Sequence, residues 1–371
     1  MKNFEKLGIS EDLVKGLSEL NIITPTEIQQ KVIPILLDGN THIVGQASTG
    51  TGKTAAYGLP LLQQIDPELK EVQALILCPT RELSQQVAKQ LFRFTKYYTK
   101  IFTEAVYGGE YIGKQITSLQ RLTHIVVATP GRLIDLVKRE AVNLSFVKTV
   151  ILDEADEMLS RGFKNELDEI LRSLPSVKSK WLFSATMPEG IKDIVKQHMS
   201  AKAVHIKESG KSVVNKQITH QYITCNDKAK LNTLMQFLKS EKENRGLIFC
   251  RTKAATRKLA KQLIAKNVAT DAIHGDLLQK ERDKVMRAFK NKNLQFLVAT
   301  DVAARGIDIE ALAFVVHYQL PESNEYYTHR SGRTARAGKD GLSLCLVNSA
   351  ELKVLESYER KLGINFKELK T

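Results

Sequence analysis

The segment Ala47-Ser48-Thr49-Gly50-Thr51-Gly52-Lys53-Thr54 follows a short apolar run and leads into a helical pattern of apolar residues. In that context a glycine-rich loop ending in Lys-Thr binds phosphate, because backbone N–H groups and the positive end of a helix face the anion. Lys53 offers a point charge to the outer phosphates and the Thr54 hydroxyl a hard ligand for Mg²⁺. Gly50 and Gly52 let the main chain approach with no Cβ in the way. Ala47 stands where such loops usually begin with glycine. A second group follows the apolar run Val150-Ile151-Leu152, where Asp153-Glu154-Ala155-Asp156 places carboxylates at a strand end. An acidic helix start alone would explain them, since carboxylates favour the positive end of a helix dipole. Beside a phosphate loop the sharper reading prevails: Asp153 holds Mg²⁺ through water, and Glu154 positions or deprotonates the water that attacks a phosphoryl group. A third group, Arg330, Arg333 and Arg336, recurs every third residue near the start of a helix. It is either a solvated basic face or a source of charge for a phosphate bound elsewhere on the chain.

Strands must carry these groups, and the sequence supplies them. Apolar, β-branched runs alternate with helical patterns: His42–Val44, Ala74–Cys78, Ile125–Ala128, Thr149–Leu152 and Trp181–Ser184, then Ile218–Thr224, Gly246–Cys250, Leu294–Ala299, Phe314–Tyr318 and Leu342–Val347. Continuous apolarity without alternation marks strands buried on both faces, so the chain is expected to be α/β, with two parallel sheets sandwiched by helices. The polar stretch Lys207-Glu208-Ser209-Gly210-Lys211-Ser212 reads as a linker. The expected division is an amino-terminal segment 1–30, a first domain 31–206, a linker 207–214 and a second domain 215–371. The formal charge is +14, and residues 215–371 hold +11 of it (28 Lys+Arg against 17 Asp+Glu), so a polyanion is the natural partner of that half. Cys78, Cys225, Cys250 and Cys345 are scattered without C-x-x-C spacing, which favours reduced thiols over disulfides or zinc. With no signal core and no long apolar run, the expected location is the cytoplasm, away from membranes.

Asp153-Glu154-Ala155-Asp156 spells D-E-A-D, and the chain resembles the DEAD-box RNA helicases of bacterial type along almost its whole length. In order, the matching segments begin with Phe4, Asn21–Gln29, the phosphate loop, Pro79-Thr80-Arg81-Glu82-Leu83 and Gly108-Gly109. Thr129-Pro130-Gly131-Arg132, the acidic tetrad, Ser184-Ala185-Thr186 and Ile248-Phe249-Cys250 follow. His274-Gly275 with Gln279 and Arg282, Thr300-Asp301 through Gly306-Ile307-Asp308, and His329 to Arg336 complete the set. The resemblance implies two tandem RecA-like domains, ATP and Mg²⁺ as cofactors, and RNA as substrate. It implies that Phe4 stacks on the base with Thr24 nearby, that Asp308 holds the ribose, and that Gly306 lets the chain pass close to the nucleotide. It makes Arg333 and Arg336 arginine fingers, and has His329 and Arg330 tie their helix to the acidic motif (Asp156) and to Ser184 and Thr186. Ala335 departs from the glycine many members carry, which puts the finger geometry in question.

The Gln29 amide can both donate to and accept from an adenine edge, so ATP is expected to be preferred over GTP. Small residues, hydroxyls and lone arginines at strand ends suit a phosphodiester backbone more than base edges. Pro79, Thr80, Arg81, Gly108, Gly109, Thr129, Pro130, Gly131 and Arg132 in the first domain, with Arg251, Gly275, Gln279, Arg282 and Thr300 in the second, are the expected RNA contacts. After Arg336 only the run 342–347 and a helical stretch from Ala350 to about Lys361 are expected, with no appended RNA-binding module. The expected activity is ATP-driven domain closure that separates short RNA duplexes or remodels RNA–protein complexes, with ribosomal or RNA-decay proteins as partners. Two rivals stand beside it: a DNA-directed helicase of related fold, and an RNA clamp that does not turn over.

Overall fold

The computed structural model describes residues 3–47, 50–208, 215, 217–304, 312–335 and 340–369. The chain divides into two compact units, Met1–Ser209 and Gly210–Thr371. The first contains β1 (Ile43–Gln46), β2 (Ala74–Leu77), β3 (Thr103–Val106), β4 (Ile125–Ala128), β5 (Thr149–Leu152), β6 (Ser179–Ser184) and β7 (Val204–Lys207). The second contains β8 (Ile218–Thr224), β9 (Gly246–Phe249), β10 (Thr270–Ile273), β11 (Phe296–Ala299), β12 (Phe314–His317), β13 (Gly341–Val347) and β14 (Phe366–Glu368). Every pairing between these strands is parallel.

The sheet orders are β3-β4-β2-β5-β6-β1-β7 and β10-β11-β9-β12-β13-β8-β14. Counted from the first strand of each unit, both read 3-4-2-5-6-1-7, so the two halves are one topology used twice. Parallel strands need crossover helices, which cover both faces of a sheet and leave no polar side for the strand to show. Alternate residues accordingly enter different cores. Ile76, Ile125, Ile151 and Phe183 join one cluster, while Leu75, Val126, Val150 and Leu182 join another across the sheet. Each fully buried Leu or Ile contributes about 1.5–3 kcal/mol.

All ten runs expected as strands are strands, with ends no more than two residues from those expected. Four strands escaped the sequence reading: β3, β7, β10 and β14 are the edge strands of the two sheets. Their sequences Thr-Glu-Ala-Val, Val-His-Ile-Lys, Thr-Asp-Ala-Ile and Phe-Lys-Glu mix polar with apolar residues. An edge strand has one neighbour and more exposure, so continuous apolarity is not required of it. The carboxyl-terminal expectation is corrected in the same way, because β14 lies beyond the helix Leu352–Leu362 and pairs with β8.

Candidate functional site

In an open α/β sheet, ligands gather at the carboxyl ends of the strands. The loops leaving β1 to β6 carry all the first-unit motif residues except those of the amino-terminal segment. After β1, Gly50 (φ 82°) and Gly52 (φ 84°) hold left-handed conformations that an L side chain resists. Gly52 also touches Gln29, since a Cβ there would stand 2.3 Å from the Gln29 amide nitrogen. Lys53 is buried, and its Nζ donates to the Ala47 carbonyl at 2.9 Å, folded back along the loop. Thr54 follows in the first turn of Lys53–Gln64. Ser48 and Thr49 lie outside the described residues.

Gln29 is a strut for this loop. Its Nε2 donates to the Gly52 carbonyl at 3.0 Å, its Oε1 accepts from the Thr26 N–H at 2.8 Å, and the Thr26 hydroxyl donates to the Thr51 carbonyl at 2.8 Å. Thr26 and Gln29 form a capping box at the start of Glu27–Leu37. One N–H and one lone pair of the amide remain for a ligand. Phe4 requires a correction. Its ring is fully buried in the same cluster as Leu7, Ile9 and Leu13, so in this arrangement it presents no face to a base. Thr24 is exposed.

After β5, burial pushes the Asp153 carboxyl up to about 6, with the Lys53 ammonium pulling down and Glu154 pushing further up. Asp153 Oδ1 accepts from the Glu154 N–H at 3.0 Å and Oδ2 from the Tyr57 hydroxyl at 2.8 Å. Glu154 sits at φ 50°, a left-handed conformation rare for a residue with a side chain and found most often where function holds it. Asp156 Oδ2 accepts from both the N–H and the hydroxyl of Thr186, at 2.9 and 2.8 Å, and Ser184 Oγ accepts from the Asp156 N–H at 3.3 Å. The loops after β5 and β6 are thereby one rigid piece. Thr54 and Asp153 are hard oxygen donors that fit Mg²⁺. Among the described residues no group of three or more His, Cys, Asp or Glu could cage a metal.

The loops after β2, β3 and β4 form a second surface. Arg81 reaches Glu110 (3.7 Å) and the Gly109 carbonyl (3.4 Å) and lies over the Tyr107 ring, while Arg132 donates to the Glu110 carbonyl at 3.1 Å. Gly108, Gly109 and Gly131 are exposed, whereas Pro79, Thr80, Thr129 and Pro130 are buried. The last four are supports. Thr80 Oγ1 accepts from Leu83 N–H as the cap of Arg81–Phe94, and Thr129 Oγ1 accepts from Gly108 N–H at 3.3 Å. Both hydroxyl oxygens therefore already have a partner within the fold. Buried Gln115, which the sequence did not single out, accepts from Arg132 at 2.9 Å and binds both the N–H and the carbonyl of Tyr107.

In the second unit, Arg330 is 1% exposed. Its Nη2 donates to Asp301 Oδ2 at 2.8 Å, its Nε to Asp301 Oδ1, and its Nη1 to the Gln319 carbonyl at 2.7 Å. A buried guanidinium must be paired, and all three contacts lie within this unit. Beneath the helix Asn324–Ser331, His220 bonds the Tyr327 hydroxyl (2.6 Å), and Ser343 bonds Tyr327 (3.0 Å), His317 (3.0 Å) and Ser331 (2.9 Å). These contacts seat the helix that carries His329 and leads into Arg333, both buried. Arg251 is anchored to the Leu320 carbonyl, Arg282 to the Ala303 carbonyl (2.7 Å) and Gln279 to Asp283 (2.7 Å); Gly275 is exposed and Thr300 buried. Ala335 adopts φ 54°, and its carbonyl accepts from the Asn215 amide at 2.8 Å. Gly306, Asp308 and Arg336 lie outside the described residues.

A family model for the DEAD/DEAH box helicase matches residues 26–194, and one for the helicase conserved C-terminal domain matches residues 229–338. A DEAD-box ATP-dependent RNA helicase CshA of Bacillus subtilis is 39% identical over 358 residues, covering 96% of this chain and 72% of the relative. A CshA of Bacillus cereus is 40% identical over 360 residues, covering 97% of this chain and 68% of the relative. Among solved structures, S. cerevisiae Dbp5 bound to RNA and ADP BeF3 is similar at TM-score 0.90 and 30% identity, covering 100% of this chain and 96% of that one. A DEAD box protein from the hyperthermophile Methanococcus jannaschii is 40% identical at TM-score 0.59, with 99% of each chain covered.

Proposed function

This chain belongs to the DEAD-box ATP-dependent RNA helicases, and from that premise we propose that it couples ATP hydrolysis to the local opening of short RNA duplexes or the remodelling of RNA–protein complexes. The observation that carries the reading is the shared edge of the first sheet. The loops after β1, β5 and β6 hold phosphate, metal and acid chemistry, and those after β2, β3 and β4 hold exposed glycines and half-buried arginines. A nucleotide and an RNA backbone can thus be bound side by side on one rigid scaffold.

Lys53 and the loop N–H groups take the phosphates, Thr54 and Asp153 hold Mg²⁺, and Gln29 senses the adenine edge while bracing the loop. The metal, when bound, neutralises charge on the phosphates. Glu154 takes a proton from the attacking water, and Arg333 and Arg336 stabilise the charge that develops on the transferred phosphoryl group. Arginine fingers raise such rates by about 10³–10⁵. ATP and RNA together favour a closed arrangement of the two units, and phosphate loss releases it. RNA is held by phosphates and sugars through Arg81, Gly108, Gly109, Gly131, Arg132, Arg251, Gly275, Gln279 and Arg282, so binding ignores sequence. Service in ribosome assembly or RNA decay, with proteins of those processes, belongs to the same proposal. No helix among the described residues is long and apolar enough to cross a membrane.

The test is phosphate release from ATP with no nucleic acid, with single-stranded RNA, and with DNA of the same sequence. Stimulation by RNA well above that by DNA supports the reading. Equal stimulation points to a DNA-directed helicase, and no turnover with RNA points to a clamp.

A further inference from the structure

Tyr57 lies in the apolar stretch Ala55-Ala56-Tyr57-Gly58-Leu59, is fully buried, and has no place in the chemistry above. A core position in such a run needs only an aromatic ring, and a buried phenol adds a hydroxyl that must find a partner. Here it donates to Asp153 Oδ2 at 2.8 Å. Because Asp153 Oδ1 already accepts from the Glu154 N–H, both carboxylate oxygens are fixed and the plane of the group is set. Tyr57 also stands three residues after Thr54 on the helix Lys53–Gln64, on the same face.

The ring is held from the other side. It packs on Phe183 of β6 with centroids 5.2 Å apart and planes inclined by 45°. Phe183 in turn fills space left by Gly45 of β1, where a Cβ would come within 2.7 Å of the Phe183 ring. β5, β6 and β1 are consecutive in the sheet, so the position of the phenol is set by the strands that carry the site itself.

We propose that Tyr57 is a positioning residue for the cation half of the nucleotide site, holding the Asp153 carboxylate in one fixed orientation from the helix that also carries Thr54. The proposal rests on the reading of Thr54 and Asp153 as the Mg²⁺ donors. Tyr57 itself touches neither nucleotide nor metal.

Tyr57→Phe keeps the ring and removes the hydroxyl. The measurement is binding of a fluorescent N-methylanthraniloyl-ADP to the full chain, with Mg²⁺ and with EDTA. Partners that orient metal ligands are worth about 10–100-fold in metal affinity. The variant should bind the nucleotide in EDTA as the unmodified chain does, while its gain in affinity from Mg²⁺ falls about tenfold. The shift in melting temperature between ADP with EDTA and ADP with Mg²⁺ reads the same loss even if the variant is less stable. An undiminished Mg²⁺ gain in both measurements overturns the role of Tyr57. Asp153→Asn separates the two layers of the argument: if that variant keeps the full Mg²⁺ gain, the metal-site reading itself fails. If Asp153→Asn loses the gain and Tyr57→Phe retains it, only the Tyr57 proposal falls.

Discussion

At the scale of single residues, the site is built from groups that do two jobs. Gln29 braces the Gly52 carbonyl and caps its own helix through Thr26, and still keeps one donor and one acceptor for a base. Gln29→Ala should therefore weaken ATP binding beyond the loss of a base contact and narrow the preference for ATP over GTP. Nucleotide titrations of both check this, and equal use of ATP and GTP by the unmodified chain would remove adenine reading altogether. Ala335 is the opposite case, a residue doing its job under strain at φ 54°. Ala335→Gly should raise the melting temperature of the second unit, since placing alanine where φ is positive costs roughly 1 kcal/mol relative to glycine. A lower melting temperature would mean that the Cβ packs usefully in its buried site. The sequence put the candidate groups of the first unit, beyond its amino-terminal segment, on loops at strand ends, and the structure has them there. Tyr57, Gln115 and the pairing of Arg330 with Asp301 were not legible in the sequence, since a buried polar contact is fixed by tertiary geometry. For Tyr57 a faint signal existed in its spacing from Thr54.

At the scale of elements, each sequence expectation depended on what the element buries. Central strands bury both faces and are continuous in their apolarity, so every one was legible. Edge strands such as β3 and β14 bury less and read as loops. The helix Asn324–Ser331 rests on polar contacts, with His220 and His317 packed beneath Tyr327. Burial holds His220 down at about 4 against an ordinary 6.5. His317 is lowered as well by burial, by the Arg330 guanidinium and by His220. The unfolded chain therefore takes up protons first as pH falls. Stability conferred by the neutral histidines is full above the ordinary value and declines from about 6.5 towards 4. The slope is at most about 1.4 kcal/mol per pH unit for each histidine. Hydrogen exchange across Asn324–Ser331, corrected for intrinsic rates, should quicken between pH 7 and pH 5. Constant protection across that range would show that these histidines accept protons without cost to the fold.

At the scale of the whole molecule, one topology occurs twice and its two copies have diverged in chemistry. The first presents a phosphate loop and carboxylates, the second arginines, and the formal charge of +14 sits mostly on the second half. On the proposed reading neither inventory alone hydrolyses ATP efficiently, so RNA should control the rate through closure. The most direct measurement of this claim is single-turnover phosphate release from ATP with saturating single-stranded RNA, for the unmodified chain and for Glu154→Gln. In that variant Lys53, Thr54 and Asp153 remain, and only the group that takes the proton is neutralised. The account predicts RNA-stimulated release by the unmodified chain, loss of release by orders of magnitude in Glu154→Gln, and retained binding of both ATP and RNA in a long-lived complex. Near-normal release by Glu154→Gln in the presence of RNA would contradict it.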